Sequence, residues 1–410
     1  MCWLMLSKSD FEPMRCRIRS QSKALLSLAA FVALTFVLLA QSGTAPALTP
    51  AENLAAAGDS PAAAPPLARD LSPRLLPLEI QKAMRKVGDW EINRSQANFN
   101  KDWTFAVLYA GFMAASKTLP DSGYGKAMLA MGSQFDWRLG PRLTHADDQA
   151  MGQTYLELYF RYHDPKMLNP TREQFHRLMK TPGNPAKPAW WWCDALFMAP
   201  PVWARLYKAT GNTRYLDYMD REWWITSRLL YDPEEHLFAR DAKYLDKHEA
   251  NGKRVFWARG NGWVMGGLVR VLQFMPEEYP TRAKYMQQFK EMATKIASIQ
   301  GGDGLWRTGL LDPGSYSLPE DSGSSLFTYA LAWGVNEGVL DRATYMPTVQ
   351  KAWRGLLSHI YSDGRLGCIQ PIGEAPGHFL PTSSYVYGSG AFLLAGSEVE
   401  KLAETVSAPR

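Results

Sequence analysis

An all-α fold of six helical hairpins closed into an (α/α)6 barrel is predicted by three features of the 410-residue sequence. Twelve segments carry apolar residues at the three-to-four spacing of a helix facing a core. Strand-like alternation is hard to find past the first fifty residues. Polar turns before an apolar pair recur at Glu235-His236-Leu237-Phe238, Asp303-Gly304-Leu305-Trp306 and Asp363-Gly364-Arg365-Leu366. Their separation is about one helical hairpin with its connections, and repeated hairpins form a solenoid or a closed toroid. The chain lacks a continuous stacking consensus and has distinctive loops at one end, which favours closure.

Residues 1–47 read as a secretory signal peptide. Arg15, Arg17, Arg19 and Lys23 precede the apolar run Ala24–Ala40, and small residues end at Ala45-Pro46-Ala47. The expectation is export to the periplasm or the extracellular space, with no membrane attachment after cleavage; an uncleaved anchor is the rival reading. Residues 48–72 are Ala/Pro-rich and read as a flexible lead-in. Residues 73–405 then form a single helical domain.

The periodicity places helices over Leu76–Gly88, Thr104–Lys117 and Tyr124–Phe135, the second after a turn, Asn100-Lys101-Asp102-Trp103, capped by Asp102. A fourth follows His145-Ala146-Asp147-Asp148, with Met151, Tyr155, Leu158 and Tyr159 on one face. Thr171–Met179 is shorter. A helix from Asp194 meets Pro200 and Pro201, which kink or break it. Arg214–Leu230, Asn261–Phe274, Ala283–Ile299, Ser322–Asn336, Tyr345–Ile360 and Ser384–Leu402 complete the set. Short loops make consecutive helices antiparallel neighbours.

Composition excludes several classes of function. Cleavage removes five Lys/Arg and two Asp/Glu, so the net charge falls from +5 to about +2, too balanced for a nucleic-acid binder. Cys2 and Cys16 leave with the signal, and Cys193 with Cys368 makes no disulfide framework. There is no P-loop and no H-E-x-x-H, and the seven histidines lack metal-ligand spacing. Fifteen tryptophans, many beside Gly, Asp or Arg, suit carbohydrate as well as a large aromatic core.

Five constellations carry candidate chemistry. In WWWCD, Trp190, Trp191 and Trp192 lead into Asp194. A carboxyl walled by indoles loses hydration, which raises its pKa and keeps it protonated, as a general acid needs. A plain helix cap reads the same way in sequence. Upstream, His145, Asp147 and Asp148 lead another helix, where one acid serves as a cap and the other as an ionised carboxylate beside the protonated Asp194. In FWARGNGW, Arg259 offers a fork for a carboxylate, Asn261 lies between two glycines, and Trp263 offers a stacking face; a structural salt bridge is the other reading of Arg259. Arg240-Asp241 is either a solvated ion pair or part of a site. Ser322 and Ser324, after Glu320-Asp321, offer hydroxyls to a sugar or to a helix cap.

The stretches HADDQAMGQTYLELY, WWWCDALFMAPPVWARLYKATG, VFWARGNGWVMGGL and DGLWRTGLLDP, in this order, resemble glycoside hydrolase family 105, kin to family 88. The resemblance spans about Ile80 to Lys401 and implies an (α/α)6 barrel, making residues 73–405 a catalytic domain. It implies removal of a 4,5-unsaturated uronic acid from the non-reducing end of oligosaccharides left by polysaccharide lyases. Asp194 matches the family's general acid, Asp147 the assisting aspartate, and Arg259 and Trp263 the residues contacting the unsaturated sugar. Neither a metal nor an organic cofactor is implied. Where rhamnogalacturonan-active members often carry histidine, in L-F-x-H, this chain has Arg240, which leaves the uronide and the aglycone open. Another (α/α)6 glycosidase or lyase and a non-catalytic sugar-binding protein are the alternatives.

Overall fold

A computed structural model describes residues 50–407 apart from 185, so the signal peptide lies outside the described residues. The described chain is one compact, mostly helical unit. Helix α1 (Pro50–Ala57) and strand β1 (Gly58–Asp59) precede α2 (Pro77–Ser95), α3 (Trp103–Thr118) and α4 (Tyr124–Gln134). Next come α5 (Ala146–Gln149), α6 (Met151–Tyr162), α7 (Asn169–Leu178), α8 (Ala195–Met198), α9 (Pro200–Thr210) and α10 (Arg214–Leu230). A hairpin, β2 (Tyr231–Asp232) and β3 (Leu237–Phe238), leads to α11 (Ala258–Leu272), α12 (Arg282–Ser298), α13 (Asp321–Asn336) and α14 (Arg342–Leu357). Strand β4 (Ser384–Tyr385) and α15 (Val386–Ser407) end the described chain.

All twelve helical segments read from the sequence are present. Helices α3, α6, α9, α11, α13 and α15 contact one another in turn and close back on α3, forming an inner ring. Their sequence partners lie outside, and the ring's closing hairpin joins α15 to α2 across the chain's two ends. The position explains the composition: every residue of α11 is buried, because an inner helix meets neighbours on all sides, whereas outer α10 buries one stripe. Inner helices approach closely where side chains vanish. A Cβ on Gly111 of α3 would lie 2.5 Å from the Gly390 carbonyl of α15.

The repeated turns are structural equivalents. His236, Gly304 and Gly364, each in the turn of its repeat, all adopt positive φ, at 55°, 94° and 105°. Each closes a tight turn after an outer helix and sends the chain back towards an inner one. The proline pair also acts as expected. Helix α8 stops at Met198, and α9 starts with Pro200 in its first turn.

The expected flexible lead-in is corrected. Residues 50–57 are helical, and Gly58–Asp59 pair antiparallel with Ser384–Tyr385. Asp59 bonds Arg365 at 2.6 Å, the Pro66 carbonyl accepts from Ser362 N, and Ala68 N donates to the Ile360 carbonyl. Composition marked this segment as poor in core residues. Its partners are backbone groups some 300 residues away, which no local pattern announces.

Candidate active site

The six connections that precede the inner helices converge on one end of the barrel, and the two acidic motifs meet there. Asp147 lies in the first turn of α5, and Asp194 occupies the position before α8, which packs on α5. Asp194 makes no capping hydrogen bond, so the cap reading fails. Its carboxyl instead receives the Cys193 thiol at 3.4 Å and faces Arg240 Nε at 3.7 Å.

Both carboxyls are raised. Burial pushes Asp147 up to about 7, helped by the charges of Asp194 and Asp102 and opposed by Arg142. Burial also raises Asp194, but the Arg240 and Arg259 guanidiniums oppose it. Burial thus favours the protonated form of both carboxyls, and the cations that oppose it gather beside Asp194. His145 lies with Nδ1 3.7 Å from Asp147 and its ring 5.0 Å from that of Trp192. Burial lowers its pKa, so it is a neutral imidazole.

Trp191 and Arg240 border the same site. The Trp191 indole is 44% exposed, whereas Trp190 and Trp192 are buried at 1% and 4%. The Arg240 guanidinium stands 5.5 Å over the Trp191 ring and bonds the buried Asp241 at 2.5 Å. The solvated-pair reading of Arg240-Asp241 is therefore excluded.

Six residues expected to bind substrate have structural partners instead. Asp148 is the structural member of its acidic pair: its carboxylate accepts from Arg142 N at 2.6 Å and Nη2 at 2.5 Å. Arg259 is fully buried, donating to the carbonyls of Gln370 and Pro371 at 2.7 and 2.9 Å, so it reaches the site only through its charge. Asn261 accepts from Phe238 N at 2.7 Å and donates to the Phe238 and Trp257 carbonyls, fastening β3 to α11. Trp263 is core, packed on Trp103 and Phe197. Ser322 donates to Glu320 at 2.6 Å, and Ser324 accepts from Trp306 N at 3.1 Å. The glycines beside Asn261 admit Cys193 and Leu326 rather than a ligand. A polar residue at the start of an inner helix looks alike in sequence whether it faces the mouth or a neighbouring connection.

Sequence reasoning missed Asp102 as a charge acting on Asp147, and Glu374, which approaches Arg240 Nη1 at 3.5 Å. Asp102 carried a signal, since a cap in the connection before an inner helix lies at this end. Glu374 sits in a Pro/Gly loop without any pattern. No group of three His, Cys, Asp or Glu placed to hold a metal ion occurs among the described residues.

Residues 79–403 match the sequence profile of Glycosyl Hydrolase Family 88. The chain belongs to that family. A relative from Formosa agariphila, an unsaturated 3S-rhamnoglycuronyl hydrolase, is 42% identical over 345 residues, covering 80% of this chain and 92% of the relative. Among solved structures, a family 88 protein from Bacteroides vulgatus superposes with a TM-score of 0.75 at 32% identity, over 79% of this chain and 98% of that one. Another, described as a polysaccharide lyase, superposes with a TM-score of 0.77 at 33% identity, over 82% and 99%. The six-hairpin barrel of this family 88 member is thus shared across nearly the full length of these neighbours.

Proposed function

We propose that this family 88 protein removes a 4,5-unsaturated uronic acid from the non-reducing end of oligosaccharides produced by polysaccharide lyases. The carrying observation is the carboxyl pair, Asp147 raised to about 7 and Asp194 beside Arg240, which holds one proton near neutral pH. Such a pair suits acid-catalysed hydration of a vinyl ether. The proton adds to C4, the ionised carboxylate takes a proton from water, and the water oxygen bonds C5. The resulting hemiketal opens to a keto acid and frees the remaining oligosaccharide. The Formosa agariphila relative supports this substrate class. Within the group, the motifs around Asp147, Asp194 and Arg259 support placement in the family 105 branch. The signal-like residues 1–47 support action outside the cytoplasm.

The lyase-described neighbour favours a second reading, elimination to create the double bond. One assay separates the two. Incubation with lyase-digested polysaccharides should bleach the ultraviolet band of the unsaturated uronide, whereas a lyase acting on intact polysaccharide would make that band grow. No change in either mixture, across a panel of polymers, would leave only sugar binding.

A further inference from the structure

The barrel holds a second polar cavity, ringed by its inner helices and away from the acidic pair. Its volume is about 180 Å³, and α3, α6, α9, α11, α13 and α15 all contribute to its lining. The lining residues come from the middle and C-terminal halves of these helices, whereas Asp147 and Asp194 precede the N-termini of α6 and α9. Glu157 of α6 stands ten positions beyond Asp147, about 15 Å of helical rise. Two arginines are fixed on it. Arg205 donates Nε and Nη2 to Glu157 Oε1 at 3.1 and 2.6 Å, and Arg270 donates Nη2 to the same oxygen at 2.7 Å. Gln153, itself bonded to the Phe197 carbonyl, accepts from Arg270 Nε.

Three groups on this cavity keep unused capacity. Arg270 Nη1, Glu157 Oε2 and the Tyr329 hydroxyl make no hydrogen bond among the described residues, although Arg270 and Tyr329 are each only 3% exposed. At the rim, Lys117 is exposed and makes no contact ion pair among the described residues, while Lys401 pairs with Glu398 at 2.6 Å. The lining thus sets four cations against two carboxylates. Burial favours a neutral Glu157, but Arg205, Arg270 and Lys117 outweigh it and hold the carboxyl down at about 2, so it is ionised. Helix C-termini draw cations, and Arg205 serves that end by donating to the Pro201 and Arg270 carbonyls. Arg270 Nη1 and Lys117 serve no carbonyl among the described residues. Water satisfies open donors and acceptors but leaves the surplus charge unmatched. An anion that accepts from Arg270, Tyr329 and Lys117 matches it, provided that it also donates to Glu157 Oε2, since an ionised carboxylate only accepts. Hydrogen phosphate carries both oxygens that accept and an O–H that donates, whereas sulfate at neutral pH has no proton to give. We propose that this cavity binds inorganic phosphate, between Arg270, Tyr329, Lys117 and Glu157, at a site separate from the one that acts on sugar. The inference does not depend on the hydrolase reading.

The test is titration calorimetry of the protein with inorganic phosphate at pH 7, against sulfate at matched ionic strength. Phosphate should bind at one site, about ten-fold or more tighter than sulfate, which leaves Glu157 Oε2 unsatisfied against an anion. Arg270→Gln would strand Glu157 and endanger the fold, so the deciding variants remove groups that hold nothing else. Tyr329→Phe should weaken phosphate about ten-fold or more, the loss of a hydrogen bond to a charged group. Lys117→Gln should weaken it about two- to five-fold, as for an exposed charge. Arg240→Gln, at the barrel's other end, should leave the phosphate affinity unchanged. Absence of phosphate binding, or an affinity unmoved by Tyr329→Phe and Lys117→Gln, overturns the inference. An affinity lost in Arg240→Gln places the ion at the acidic pair and overturns it equally. Sulfate bound as tightly as phosphate overturns the assignment of the ion.

Discussion

Asp147→Asn should make the protein more stable at alkaline pH while removing its activity. Asp147 titrates at about 7 in the folded chain against an ordinary aspartate value of 3.8, with burial the main cause. The folded state therefore keeps its proton where the unfolded state has lost it. The stabilisation is complete below about pH 4, declines as pH rises, and is gone above about pH 7. A rise of about three pH units, at about 1.36 kcal/mol each, gives a cost near 4 kcal/mol for holding the ionised carboxylate above pH 7. The side chain is 19% exposed and shares its titration with Asp194, so about 2–4 kcal/mol is expected. Asparagine keeps the shape and cannot ionise. Chemical and thermal unfolding at pH 8 should show the variant more stable by that amount, about 3–5 °C in Tm at about 2 cal/mol/K of unfolding entropy per residue. At pH 5 the gain should shrink to little more than about a third. Equal stability at pH 8, or a gain as large at pH 5 as at pH 8, would refute the burial-raised pKa of Asp147.

Asp194→Asn should lower turnover of lyase products by at least about 10² to 10⁴-fold, the usual contribution of an acid–base group, with unfolding behaviour little changed since no cap is lost. Near wild-type turnover in that variant would move the chemistry elsewhere. Asn261→Ala should destabilise by about 2–4 kcal/mol, measured by urea unfolding, because it strands the buried Phe238 N–H and C=O. Its KM at a temperature where the variant is folded should match the wild type, whereas a substrate ligand would raise it.

The sequence by itself determined the helices, because apolar spacing and turn residues are local signals that survive without knowledge of the partner. It therefore also determined that Asp147 and Asp194 each stand at a helix start, and a closed ring brings such positions to one end. The three turns at His236, Gly304 and Gly364 were equally readable, since each repeats the same polar-then-apolar pattern. What a polar side chain touches is a different matter. Asn261, Ser322, Ser324 and Arg259 have the chemistry of ligands, yet their partners are groups in the connections at the barrel's mouth. Asp147 and Asp148 are adjacent in sequence, and only the path of the 140–145 segment hands Arg142 to one and leaves the other to be desolvated beside Asp194. The charges around Asp194 were hidden in the same way. The tryptophans around Asp194 were legible, but Arg240 and Arg259 come from 46 and 65 residues further along. Their charge opposes the apolar wall without overcoming it, an effect hidden from the sequence because Coulomb terms depend on distance in space and the sequence records only distance along the chain.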